Sequence, residues 1–373
     1  MKQQRRGIRA AMAAGAFALC AAAHADIVVG ETVGQTGPVA ATVKEALMGA
    51  HLYIDWVNAS GGVKGEKIDL VTLDDQFDVK KAAENARILI EERNAVVLFM
   101  NRGTPHSQAI MPLLEKNAVA LVAPSTGAML LHKPVNKYVF NVRAPYQREA
   151  QKAIEHLNTL GIHRIAVVHV DDTFGADAFE GAARGFAKSN LKPVVLVKAD
   201  RDKPDYTKIV PPVVASNAQA VLWIGSGTAV SEGIKALRAA GSAAQVVTLS
   251  NNASGGFVKL LGDAGKGVIV TQVFPYERSY AYPFVQEALM LAKEAGVKDL
   301  SPAMLEGFAG AKVLVEALKR ASPKPTRAKV LAALEGMKKF DLGGLEISYS
   351  PTDHTGLEFA DLSIIGADGR FRR

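Results

Sequence analysis

Three stretches combine glycine with hydroxyl-bearing side chains in short, turn-like runs: 34–38 (GQTGP), 101–105 (NRGTP) and 124–127 (PSTG). Such runs can present backbone N–H groups at the start of a helix, where partial positive charge attracts an anion. Gly103 lets the main chain approach a ligand closely. The Thr104 hydroxyl can cap a helix, and Pro105 suits a first helical turn. Ser125, Thr126 and Gly127 repeat the pattern, and Arg102 adds a cation beside it. Side by side, the second and third runs would make a cradle for a carboxylate. Any single run also reads as ordinary capping and turn chemistry, so the weight rests on their recurrence. Three further runs have a similar composition: 171–175 (DDTFG), 225–228 (GSGT) and 250–252 (SNN). They add Phe174, Gly227 and Asn251 to the candidate ligand-binding set. Phe274, in the aromatic stretch 272–283, would supply an apolar wall.

Patterns for chemical transformation are absent from the sequence. His51, His106, His132, His156, His163, His169 and His354 form no HExxH. Residues 225–227 (GSG) do not make the G-x-S-x-G of a nucleophile elbow. No Walker lysine loop and no G-x-G-x-x-G is present. Asp74-Asp75 and Asp171-Asp172 are adjacent in sequence, so on a strand they point to opposite faces. They read as strand-end caps or solvated loop acids. The expectation is a binding protein with no cofactor and no metal.

The elements that must position these loops follow a regular rhythm. Nine short apolar runs, from 26–30 (DIVVG) to 267–271 (GVIVT), alternate with ten helical patterns, from 38–58 to 326–336. Most of the runs lack polar alternation, as strands buried on both faces do. This βαβ rhythm predicts α/β architecture with doubly wound parallel sheets and right-handed crossovers. At 373 residues the chain is too long for one ordinary core. A seam at 138–143 and the irregular stretch 272–283 suggest two interwoven lobes joined by a multi-strand hinge. Lobe one is expected to hold 26–143 plus 274–346, and lobe two 144–273 plus 350–373.

The first 25 residues read as a secretory signal peptide. Lys2, Arg5, Arg6 and Arg9 precede an apolar run over 10–23, and Ala23-His24-Ala25 offers a cleavage site before Asp26. The run is shorter than the ~20 residues a spanning helix needs. Cys20 is the only cysteine, and Leu19 before it does not suit lipid attachment. The mature chain would therefore be periplasmic, without disulfides or thiolate metal ligands. Of the formal charge of +7, four positive charges lie in the leader, which leaves +3. No dense basic run survives to bind nucleic acid, and no later stretch is apolar enough to cross a membrane.

These residues resemble the periplasmic solute-binding proteins of branched-chain amino acid ABC importers, with a type I fold. The resemblance covers the mature chain. It is carried by 34–38 (GQTGP), Gly49-Ala50, 58–65 (NASGGVKG), Asp74-Asp75, 101–127 and Asp368-Gly369 in that order. It implies that amides and hydroxyls around Gly103-Thr104 and Ser125-Thr126-Gly127 hold a ligand carboxylate, and that Phe174 covers it. It also implies a membrane permease as partner; the chain is expected to act as a monomer. Where such relatives place an acid against the ligand's ammonium, this chain has Asn251. Burying an unpaired ammonium is very unfavourable. The departure therefore suggests an aryl or keto acid rather than an amino acid, unless Asp171, Asp172 or Glu277 takes the acid's place. The alternative role is a ligand-sensing periplasmic receptor for a signalling partner.

Overall fold

The computed structural model describes residues 26–373; the leader and its cleavage site lie outside the described residues. The apolar runs become strands and the periodic segments become helices. In chain order they are β1 (Ile27–Val33), α1 (Ala40–Ala59), β2 (Ile68–Asp74), α2 (Val79–Arg87), β3 (Val97–Phe99), α3 (Thr104–Asn117), β4 (Ala120–Val122) and β5 (Val139–Phe140). Then come α4 (Tyr146–Thr159), β6 (Ile165–Val170), α5 (Thr173–Lys188), β7 (Val195–Ala199), α6 (Tyr206–Ala215), β8 (Ala220–Ile224), α7 (Gly227–Ala239), β9 (Gln245–Thr248), α8 (Gly255–Leu261) and β10 (Ile269–Gln272). The chain ends with α9 (Pro283–Glu294), α10 (Pro302–Ala321), α11 (Arg327–Glu335), β11 (Phe340–Asp341), β12 (Glu346–Ile347), β13 (Asp361–Ile365) and β14 (Phe371–Arg372). Local chemistry marks several starts. Asp78, Asp172, Asp205, Ser301 and Thr326 each accept a backbone N–H of the first turn they precede.

Two sheets result. The first has the order β2-β1-β3-β4-β5 and is parallel throughout. The second has the order β14-β13-β10-β9-β8-β6-β7. Its β7, β6, β8, β9 and β10 are parallel, while β13 and β14 add an antiparallel edge that the sequence rhythm does not announce. Each sheet is covered on both faces. Val97 and Phe99 of β3 pack with α1 and α10, while Leu98 packs with α2 and α3. In the second sheet, Val221 and Trp223 face α6, α7 and α8, and Leu222 and Ile224 face α4 and α5. The continuous apolar strands are thus buried on both sides, which is why they lack alternation.

The chain passes between the sheets after β5, after β10 and after β12. Strand order reverses between β1 and β3 in the first sheet and between β6 and β8 in the second. Ligands of open α/β sheets bind beyond the carboxyl ends of strands at such reversals. Here the two reversals face each other across one cavity.

Candidate functional site

The cavity is lined from the first sheet by Val39, Phe77, Arg102, Gly103, Thr104 and Ser125, and from the second by residues that follow β6, β7, β8 and β9. Its volume is about 40 Å³ of space for the centres of water-sized spheres. Adding the sphere radius of about 1.4 Å makes room for a molecule of roughly ten non-hydrogen atoms. The lobes are drawn together around it. Thr42 Oγ1 lies 3.0 Å from Ser254 Oγ. The Ala303 N–H donates to the Ala253 carbonyl over 3.0 Å, and the Thr228 N–H to the Pro38 carbonyl over 3.3 Å.

One end of the cavity is polar. Gly103 has φ +98°, a conformation that glycine adopts without strain, and it swings the chain from β3 into α3. This turn carries Arg102 inward, to 4% exposure. Its Nη1 donates to Ser125 Oγ over 2.9 Å, and its Nη2 donates to the Asn251 carbonyl over 2.6 Å. Among the described residues no carboxylate lies within 4 Å of the guanidinium. The nearby acids are already engaged: Glu149 pairs with Arg143, and Glu306 lies 3.5 Å from Arg143 and accepts from Ser125 Oγ over 2.8 Å. Burial pulls the Arg102 pKa below its usual value, and Tyr146 and Glu306 oppose that shift. A guanidinium nevertheless stays charged under all physiological conditions. Burial also pushes the Tyr146 phenol up from its ordinary value, so it keeps its proton and remains a donor. Arg102 is thus a buried cation with no directly paired carboxylate; Glu306 reaches it only through the Ser125 hydroxyl.

The other end is apolar. Val170, Phe174, Tyr206, Ile209, Trp223, Ile224 and Ala229 line it. The Phe174 ring lies 4.8 Å from that of Tyr146. Phe77 and Arg201 meet at the rim, with the guanidinium 5.2 Å from the ring centroid. Arg201 is itself paired with Asp172.

A cleft between two α/β lobes, with a buried charge and an apolar wall, suits capture of a small molecule. Comparison with known proteins agrees with this geometry. The family model described as periplasmic binding protein matches residues 26–361. The chain belongs to the periplasmic binding protein family. The crystal structure of a substrate-binding periplasmic protein from Ralstonia solanacearum superposes with a TM-score of 0.84 at 32% identity, covering 93% of this chain and 99% of that one. A Leu/Ile/Val-binding protein homolog 3 from Brucella melitensis is 24% identical over 91% of each chain. An amino acid binding protein from Pseudomonas aeruginosa is 26% identical, and that match spans 59% of each chain. Members of this family bind solutes and are not enzymes.

In this periplasmic binding protein, six of the ten residues singled out from sequence line the cavity: Arg102, Gly103, Thr104, Ser125, Phe174 and Asn251. Thr126 stands one step behind, its hydroxyl 2.8 Å from that of Thr104. Thr104 itself is the first residue of α3, and Gly103 occupies the capping position, so the expected hydroxyl cap does not form. The Gly127 carbonyl accepts from the Tyr146 N–H over 2.8 Å, which seats the start of α4. Gly227 faces Asn252, Phe257 and the Pro38 carbonyl instead of the cavity. Phe274 is also displaced from its expected role: it packs 6.0 Å from Phe284 in the core beneath the first sheet.

None of the three acids considered as substitutes lines the cavity; the acid that does, Asp200, is exposed and accepts from the Asp202 and Lys203 N–H groups. Asp171 pairs with Lys198, and Asp172 caps α5 and pairs with Arg201. Glu277 lies in a separate groove with Arg278 and Asp299. Asn251 donates its Nδ2 to the Gly225 carbonyl, over 2.9 Å, and to Asn252 Oδ1. Its Oδ1 is buried with no partner among the described residues. Sequence reading overlooked Trp223, Tyr206 and Arg201 as cavity residues. Trp223 sits inside a run that reads as plain core strand, and Tyr206 and Arg201 arrive through the turn after β7.

Proposed function

We propose that this chain is the extracytoplasmic capture component of an ABC importer for a small carboxylate that lacks a cationic amine, such as an aryl or keto acid. The observation that carries this reading is Arg102, a buried cation on the cavity wall with no carboxylate within 4 Å. An isolated buried charge is costly, and a ligand carboxylate supplies the missing partner. The Thr104 N–H at the start of α3 and the Tyr146 hydroxyl stand beside it as further donors. Phe174 covers the ligand from the second lobe. Asn251 also lines the cavity, and its uncharged side chain cannot neutralise an ammonium. Contacts from both lobes favour the closed form when ligand is present, which is how a permease would distinguish loaded from empty protein.

Calorimetric titration of the mature chain with phenylpyruvate and phenylalanine tests the ligand class. The keto acid is expected to bind at least 100-fold more tightly; tighter binding of the amino acid overturns the reading. The transport role is tested by deleting the gene and measuring uptake of the labelled ligand. Unchanged uptake would point to a sensor instead.

A further inference from the structure

Trp223, near the carboxyl end of β8, forms part of the apolar wall, and what holds it lies outside the cavity. Its six-membered ring rests against α7 at Gly233. A Cβ built there would lie 2.1 Å from Cζ2, 2.4 Å from Cη2 and 2.9 Å from Cε2 of the indole. Any other residue at 233 must push the ring away. One turn earlier on α7, the Ala229 carbonyl accepts from the Tyr206 hydroxyl over 2.8 Å, so Tyr206 is tied to the same helix. Trp223, Tyr206 and α7 thus form one continuous wall. Phe174 forms the opposite one and belongs to the core cluster on the other face of the second sheet.

Away from the cavity, Trp223 belongs to a buried core cluster that includes Val210, Val230 and Ile234. A close-packed interior offers no space for a displaced ring. The cavity does, so a side chain at 233 would drive the indole into the ligand's place.

We infer that Gly233, which does not line the cavity, is a specificity-determining residue: by letting Trp223 lie against α7 it opens a slot for an aromatic ring between Trp223 and Phe174. The inference rests on the carboxylate reading above and adds that the ligand's tail is a planar ring.

Trp56 and Trp223 are the chain's two tryptophans, and Trp56 is 41% exposed on α1. In a Trp56→Phe background, Trp223 emission therefore reports on the slot directly. Three probes are titrated: phenylpyruvate, pyruvate and the amide of phenylpyruvate. Phenylpyruvate is expected to perturb the emission and to bind at least 100-fold more tightly than pyruvate. Gly233→Ala is expected to weaken phenylpyruvate tenfold or more and pyruvate less than threefold. Equal losses for both acids, or no loss for phenylpyruvate, overturn the inference, as does pyruvate binding as tightly as phenylpyruvate. Should Gly233→Ala not fold, Trp223→Leu serves, and the preference for phenylpyruvate over pyruvate should fall below tenfold; an unchanged preference overturns the slot. The amide separates the two claims. If it binds as well as the acid and is lost in Gly233→Ala, the ring slot stands and the carboxylate reading fails. If neither acid nor amide binds the parent protein, both fail.

Discussion

Arg102 Nη2 donates to the Asn251 backbone carbonyl over 2.6 Å, so the residue proposed to hold the ligand's charge also ties the two lobes together. Arg102→Gln is therefore expected to act on affinity twice, through the lost charge and through weaker closure. Removing one partner of a buried, hydrogen-bonded charge pair costs roughly 2–5 kcal/mol, or about 30-fold to several thousandfold in affinity. Without ligand the charge has no direct ion-pair partner, so the fall in melting temperature should be small beside the loss of affinity. Calorimetry and a melting curve check the two halves. A strong loss of stability in the ligand-free protein would show that Arg102 is structural.

The Asn251 position should decide between acids and amino acids. Its Oδ1 has no partner among the described residues, so a carboxylate introduced there breaks no bond at that atom, though it gives up the two that Nδ2 donates to Gly225 and Asn252. Asn251→Asp places a negative charge beside the cavity and would repel a ligand that has only a carboxylate. It should raise the ratio of phenylalanine to phenylpyruvate affinity at least tenfold, since ion pairing in a water-poor site readily exceeds about 1.4 kcal/mol. Competition titrations of the two ligands measure the ratio. An unchanged ratio would mean that Asn251 does not face the ligand's α-substituent.

Closure has its own device away from the ligand. Glu45 of α1 accepts from the Gly256 N–H over 2.6 Å and from the Gly255 N–H over 3.0 Å, both in the other lobe. Glu45→Gln replaces one accepting oxygen with an NH2 that cannot accept, so one bond is lost and the other loses its charge, at a cost of about 1 kcal/mol. Apparent affinity falls with the fraction of protein in the closed form. The variant should bind every ligand about 3–10-fold more weakly, with unchanged preference among ligands. Small-angle scattering should show a more open average shape at subsaturating ligand. A change in preference would contradict a role confined to closure.

The same contact explains one limit of reading this chain from sequence. The βαβ rhythm and the loops at strand ends follow from local composition, and these bring Gly103, Ser125 and Phe174 to one cavity. Helix α8 does not: Gly255-Gly256 reads as a loop, and its first turn is completed by Ser254 and by Glu45 from a different lobe. Phe274 shows the converse. An aromatic near a crossing point looks like a cleft wall, yet the first sheet's core has room for it beside Phe284. Trp223 was hidden because one side chain both fills a core and borders a cavity.

Glu31 gives the stability a pH dependence of defined sign. It lies in β1, fully buried, with Oε2 accepting from Thr72 Oγ1 over 2.8 Å and Oε1 without a partner among the described residues. Burial pushes its pKa up to about 8, against the opposing Thr72 bond, from an ordinary 4.5. Below about pH 4 both the folded and unfolded chains hold this proton. As pH rises, the unfolded chain releases it first, so folding stability contributed by the neutral acid is lost between about pH 4.5 and 8. Asp75 and Asp177, both raised to about 6 by burial, and Glu277, raised to about 7, act with the same sign. His106 and His132, lowered to about 4 by burial, act oppositely and remove stability as pH falls from 6.5 towards 4. The two effects overlap below about pH 6.5, and above it only the carboxyl groups still act, so the parent should lose stability as pH rises from about 6.5 to 8. Glu31→Gln has no proton to lose, so its melting temperature should decline less from pH 5.5 to 8 than that of the parent. The difference between the two curves should widen steadily with pH, whatever its value at pH 5.5. Parallel curves across that range would mean that Glu31 is ionised in the folded protein, and that water or a rearranged neighbour meets its second oxygen.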